Sequence, residues 1–245
     1  MKNSLYFVAL LFVSGLTFGQ GDTRGVNGVE VTKDSTTIGK IRGVIVGVSK
    51  YANLPQGNQL KFADADAESM YEYLSVHQQT DRSNLYLLKN EEVSFQNFKG
   101  RFVEAFRHSK EGDVLVIYFA GHGNLQRGDN ECFLLLHGIK ENDTEYFIDD
   151  EAVPLSLLQK YEAQCVAKKI RFLLIIDACH AGKILSETGS NTTAAVLNAT
   201  WENSLKLISC GPKQLSYEYA DLGGGHGVFT YYLLESFKKI GRAHV

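Results

Sequence analysis

The sequence is short of several things that would mark other classes of protein. Four cysteines in 245 residues are too sparse for a disulfide scaffold. Three prolines, no low-complexity tract and no internal repeat leave little room for a disordered or solenoid chain. No stripe of lysine and arginine is present and the net charge is −3, so nucleic acid is not expected as a partner. No Gly-x-Ser-x-Gly elbow occurs, which removes the usual signature of an esterase on an α/β sheet. The one markedly apolar stretch, residues 5–18, is short for a membrane span and lacks a strongly basic stop, so no stable span is expected. What is left, 44% hydrophobic and 22% charged, is ordinary globular composition at a length that suits one domain with flanking segments.

The flanks have their own character. Met1-Lys2-Asn3 followed by the apolar stretch and then Thr17-Phe-Gly-Gln20 has the layout of a secretory signal peptide over residues 1–19. Export to a bacterial periplasm or the extracellular space is therefore expected. With no cysteine near the cleavage point, a lipoprotein is not. Residues 20–41 are polar and glycine-rich and read as a linker, leaving 42–239 as the domain. The last six residues, 240–245, fit poorly with what precedes them and match one translation frame of a common sequencing adaptor. We expect a truncated frame with an artefactual tail.

Within the domain, apolar runs alternate with helical patterns. Gly43-Val-Ile-Val-Gly-Val48, Asn84-Leu-Tyr-Leu-Leu88, Leu115-Val-Ile-Tyr-Phe119, Phe172-Leu-Leu-Ile-Ile176 and Lys206-Leu-Ile-Ser209 read as strands. The third is expected to end at His122 and the fourth at Cys179, with a short extra strand over residues 131–136. Helices are predicted at 63–74, 95–108, 154–166 (opened by Pro154 in its first turn) and 227–239. Phe98, Phe102 and Phe106 give the second helix one aromatic face, which reads as core packing. The Ser/Thr/Asn-rich residues 184–203 read as a long exposed loop. Such alternation implies an α/β fold, a mostly parallel central sheet with helices on both faces.

Two short runs then stand out, Tyr118-Phe-Ala-Gly-His-Gly123 and Asp177-Ala-Cys-His-Ala-Gly182. Each directly follows a buried strand, and in parallel sheets the chemistry collects beyond the carboxyl ends of the strands. His122 and Cys179 are thus expected at one sheet edge. There an imidazole lowers the thiol's pKa and carries its proton to a leaving amine. His122 lies between two glycines that let a substrate backbone approach. The backbone N–H groups of Gly123 and Cys179 are the expected oxyanion donors. With Cys179 as nucleophile, Cys132, Cys165 and Cys210 cannot all pair among themselves. Cys132 and Cys165 fall in strand and helix and read as buried small hydrophobes. A zinc site from Cys179, His180 and His122 lacks regular ligand spacing.

At this point the chain resembles the caspase-like cysteine peptidases, in particular the bacterial metacaspase-like (orthocaspase) group. The resemblance rests on both runs and on Val44-Ile-Val-Gly-Val-Ser-Lys-Tyr51, Leu60-Lys-Phe-Ala-Asp-Ala-Asp-Ala67, Gln214-Leu-Ser-Tyr-Glu218 and Gly225-His-Gly-Val-Phe-Thr230. It implies a caspase-like fold and a His122–Cys179 dyad. It also implies an acidic substrate pocket built partly by Asp66 and Asp177, hence cleavage of proteins or peptides after Arg or Lys. Asp66 would equally suit the first turn of a helix as an ordinary carboxylate. No cofactor is implied except calcium, which many metacaspases bind through acidic residues after the histidine strand. Asp149, Asp150 and Glu151 could contribute here, although the position near His137 carries no further aspartate. His226 lies in a family motif without an assigned role. The competing readings are a caspase-fold scaffold or interaction module without turnover and a different hydrolase on a similar sheet. The intact Cys179 and His122 argue against the first of these.

Overall fold

In chain order the elements are β1 (Ile41–Gly47), α1 (Ala63–Glu72), β2 (Leu85–Lys89), α2 (Phe95–His108), β3 (Val114–Ala120), β4 (Gly123–Leu125), β5 (Cys132–Leu135) and β6 (Ala152–Pro154). Then follow α3 (Leu155–Ala167), β7 (Arg171–Asp177), β8 (Leu205–Ile208), β9 (Glu218–Tyr219), β10 (His226–Gly227) and α4 (Val228–Arg242). This computed structural model describes residues 39–125, 132–140, 151–178, 205–209 and 217–242. The leader, most of the linker, Cys179, Cys210, Asp149, Asp150, the 184–203 loop and residues 243–245 lie outside the described residues.

The five apolar runs form one parallel sheet in the order β2-β1-β3-β7-β8. β1, β3 and β7 bury both faces, and side chains alternate between two cores. Val44, Val46, Leu115, Ile117, Phe119, Phe172, Leu174 and Ile176 meet Phe98 and Phe102 of α2 and Leu158 and Cys165 of α3. Ile45, Val116, Tyr118, Leu173 and Ile175 meet Ala67 and Met70 of α1 and Leu234 and Phe237 of α4. The expected aromatic stripe on α2 is core: Phe98, Phe102 and Phe106 are all buried, and Tyr161 of α3 packs edge-on against the last two. Cys165 is buried and free. Among the described residues no helix is long and apolar enough to cross a membrane.

Several boundaries fall differently from the sequence reading. β3 stops at Ala120 rather than His122, and β7 stops at Asp177 rather than Cys179. At Gly121 the chain leaves the parallel sheet and enters β4, which pairs antiparallel with β5, and β5 with β6. Pro154 is the residue before the first turn of α3, with ψ of 138°. It is extended there because it also completes β6 opposite Phe133. β1 begins one residue before the expected domain start, and Ile41 is already buried. α4 runs three residues beyond the expected domain end, to Arg242.

Candidate active site

The carboxyl ends of three strands are level, with Gly47 opposite Ala120 and Ala120 opposite Asp177. Just past that line the Gly121 N–H donates to the carbonyl of Asp177 at 3.0 Å. An ideal Cβ on Gly123 would lie 3.4 Å from the carbonyl oxygen of Ala178. The segment 121–123 is therefore strapped to the residues that immediately precede Cys179. The strand ends meet as the sequence implied, although the cysteine itself is outside the described residues.

His122 is buried, 2% exposed, and three backbone-anchored contacts fix it. Its N–H donates to the Tyr51 hydroxyl at 2.7 Å, and its carbonyl accepts from Leu135 N–H of β5 at 2.9 Å. Its ring Nε2 lies 2.9 Å from the carbonyl oxygen of Asn58. A carbonyl can only accept, so this pairing places a proton on Nε2 and makes Nδ1 the basic nitrogen. Tyr51 also stacks at a tilt on the imidazole, ring centres 4.9 Å apart. Burial pushes its hydroxyl pKa far up, so the phenol stays neutral.

The loop that carries both Tyr51 and Asn58 is held by Gln59. Its side-chain oxygen accepts from Tyr51 N–H at 2.7 Å, and its amide donates to the carbonyls of Tyr51 and Leu54 at 2.9 and 2.8 Å. The loop's start is pinned by Asn90, whose oxygen accepts from the N–H groups of Ser49 and Lys50. Its amide in turn donates to Asp64 of α1 at 2.8 Å. Tyr51 lies inside a run that the sequence singled out, but nothing in that run announced its contact with His122.

Asp66 and Asp177, the two aspartates expected to line a pocket, come together on the α1/α4 side of the sheet. Asp177 continues the alternation of Leu173 and Ile175 onto that side, and Asp66 reaches across from the first turn of α1. An ideal Cβ on Gly227 would lie 2.8 Å from a carboxylate oxygen of each. Asp66 accepts from His226 Nδ1 at 2.7 Å and from Gly227 N–H at 2.9 Å. Asp177 accepts from the Thr230 hydroxyl at 2.7 Å, and Tyr118 lies within 2.6 Å of that same hydroxyl. Burial pushes the Asp66 carboxyl up to about 6, the bonds from His226 and Gly227 opposing, with the neighbouring Asp177 charge adding to the rise. Asp66 is thus more than a first-turn helix charge. A first-turn donor is met by Ser49, whose hydroxyl accepts from Asp64 N–H at 3.0 Å, while the Glu218 carboxylate of β9 accepts from the N–H groups of Lys61 and Phe62 just before the helix at 3.0 Å each.

Of the residues considered for calcium, Glu151 faces Lys140 at 3.5 Å, and Asp149 and Asp150 lie outside the described residues. Among the described residues no cluster of three potential metal ligands occurs. With two of the three expected ligands outside the described residues, no step is derived through calcium.

The chain is 25% identical over 229 residues to Metacaspase-2 of Arabidopsis thaliana, covering 82% of this chain and 53% of that protein. It therefore spans about half the length of that curated relative. The fold matches the crystal structure of protein GSU0716 from Geobacter sulfurreducens with a TM-score of 0.56 at 15% identity, over 82% of each chain. The caspase-domain family model matches residues 42–244, from the first strand through the last helix. On that match, together with the parallel sheet and the histidine presented at its edge, the chain belongs to the caspase-domain family.

Proposed function

We propose that the chain is a cysteine endopeptidase that cleaves after arginine or lysine through a His122–Cys179 dyad. The observation that carries this reading is the 2.9 Å contact between His122 Nε2 and the Asn58 carbonyl. Nε2 is committed to the Asn58 carbonyl, so Nδ1 is the nitrogen that takes the proton from the Cys179 thiol. The thiolate attacks the scissile carbonyl, and the oxyanion is held by the N–H groups of Gly123 and Cys179. The imidazolium then returns its proton to the departing amine, leaving a thioester. Water, deprotonated by the same imidazole, attacks the thioester and frees the acid and the thiol. The paired carboxylates of Asp66 and Asp177 support recognition of a guanidinium or ammonium before the cleaved bond.

The test is hydrolysis of fluorogenic peptides ending in Arg, Lys or Asp, with and without calcium, by wild type and Cys179→Ala. Turnover of the Arg and Lys peptides by wild type alone is the expected result. Equal turnover in the mutant removes the dyad, and preference for Asp removes the acidic pocket. No turnover by wild type leaves the non-catalytic scaffold reading in possession.

The pH dependence follows from Asp66. Its ordinary value is 3.8 and burial raises it to about 6, so the folded protein favours the protonated form. That preference contributes stability below the ordinary value and loses it as pH rises through about 6. Substrate recognition runs the opposite way, because only the ionised carboxylate attracts a cation. KM for an arginyl peptide is expected to fall as pH rises through about 6, while KM for the uncharged citrullinyl analogue stays level. A flat KM profile for both peptides would remove Asp66 from the pocket.

A further inference from the structure

The carboxylate pair has an occupant within the chain itself. Both oxygens of Asp66 are engaged by consecutive residues of β10: His226 Nδ1 on one at 2.7 Å and Gly227 N–H on the other at 2.9 Å. An arginine side chain that binds a carboxylate edge-on needs those same two oxygens. His226 is presented by a turn of three consecutive glycines, Gly223, Gly224 and Gly225, with φ of 59°, 97° and 115°. All three sit in the left-handed region that favours glycine, with Gly225 packed closely against the Phe62 ring. Gly224 has nothing within 4 Å of where a side chain would begin. Beside the imidazole lies a cleft of about 440 Å³ lined by Ser69 of α1, by Tyr73 and Val76 just beyond its end, and by Gly223 and Tyr231. The cleft starts about one helical turn along α1 from Asp66. A hinge, a bonded imidazole and room for it to move into thus adjoin one another.

We propose that His226 is a latch, an internal stand-in for the substrate's cation that holds Asp66 until an arginine or lysine side chain displaces it into the cleft beside α1. This rests on the acidic-pocket reading above and adds its regulation. A side chain that brings its own charge and donors to Asp66 and Asp177 replaces what the imidazole gave up. An uncharged side chain gains nothing from Asp66 in either form, so the latch lowers the affinity for a cation and leaves uncharged side chains untouched. A hydrogen bond to a charged group suffices to keep the open form near a tenth of the population, which raises the apparent Kd for a cation about tenfold. His226 acts through Asp66 and is a positioning residue, so its signature is a split between KM and kcat.

The test compares wild type, His226→Ala and His226→Gln, the last of which restores a donor to Asp66. For an arginyl peptide, KM is expected to fall about tenfold in His226→Ala with kcat within about twofold, and to return to wild type in His226→Gln. KM for the citrullinyl peptide is expected to stay unchanged. A KM for the arginyl peptide that rises or holds, or a citrullinyl KM that falls alongside it, overturns the latch. A second arm needs no turnover: agmatine is titrated into the full chain carrying Cys179→Ala, with the His226 ring followed by NMR. The imidazole resonances are expected to shift on binding, and agmatine is expected to bind more tightly when His226→Ala is added. If wild type shows no preference for arginyl peptides, the proposed function fails. If that preference stands but the His226 resonances ignore agmatine, the latch alone fails.

Discussion

Replacing His122 by alanine is expected to lower kcat/KM for an arginyl peptide by about a thousandfold or more. Two functions go with the imidazole. Without the base, the Cys179 thiol reverts towards an unperturbed pKa of about 8.5, so at pH 6 the thiolate is under about one per cent of the total. Without the acid, the leaving amine must depart unprotonated. The ring is 2% exposed and packs against Tyr51, so truncation also leaves a cavity and costs about 1–3 kcal/mol of stability. His122→Gln separates the two effects, because its amide refills the space and can still donate to the Asn58 carbonyl. Both variants are expected to be inactive, with the glutamine melting closer to wild type. Iodoacetamide alkylation of Cys179 against pH reads the dyad without any substrate. The wild-type rate is expected to hold down to lower pH than in either variant. Superimposable alkylation profiles would show that His122 does not set the state of the thiol.

How far such a site can be read from sequence depends on whether its parts advertise themselves locally. β1, β3 and β7 are legible because strands buried on both faces need uninterrupted apolar runs. α2 is legible from its phenylalanines four apart. β4 and β6 are not, since three residues each carry no period, and Pro154 reads as a helix opener while completing a strand. The same holds for the site. His122 is marked by its glycines and by the strand before it. Its orienting partner is the backbone carbonyl of Asn58, and a carbonyl has no sequence signature. Tyr51 and Gln59 serve a loop whose shape no propensity encodes. Asp66 and Asp177 were paired by family resemblance rather than by spacing, and 111 positions separate them. Glu218 binds the N–H of Phe62, 156 residues upstream, a contact that only the folded chain defines.

The second large effect is expected at Gly227, where the carboxylate pair leaves no room for a methyl group. Unlike Gly223–Gly225, the backbone at Gly227 is not left-handed, so alanine is acceptable there on conformational grounds. The conflict is one of space: an ideal Cβ would lie 2.8 Å from Asp66 Oδ2 and 2.8 Å from Asp177 Oδ2, well inside contact distance. A carboxylate can normally swing away from such a clash, but these two are anchored. Asp66 Oδ2 accepts from the N–H of Gly227 itself, and Asp177 Oδ2 accepts from the Thr230 hydroxyl. Retreat of either breaks a buried charged hydrogen bond, and each is worth about 1.5–3 kcal/mol. Gly227→Ala is therefore expected to destabilise the domain by about 3 kcal/mol, seen as a fall in Tm of roughly 6–12 °C. Gly100→Ala is the control. Gly100 lies inside α2 with nothing within 4 Å of its missing side chain, so alanine there is expected to stabilise by up to about 1 kcal/mol through helix propensity. The two substitutions add the same atom and should move Tm in opposite directions. In Gly227→Ala the surviving enzyme is also expected to lose most of its preference for arginyl over citrullinyl peptides, because the displaced carboxylates no longer converge on one cation. A Gly227→Ala protein that melts with wild type and keeps that preference would mean that Asp66 and Asp177 do not share the space at Gly227.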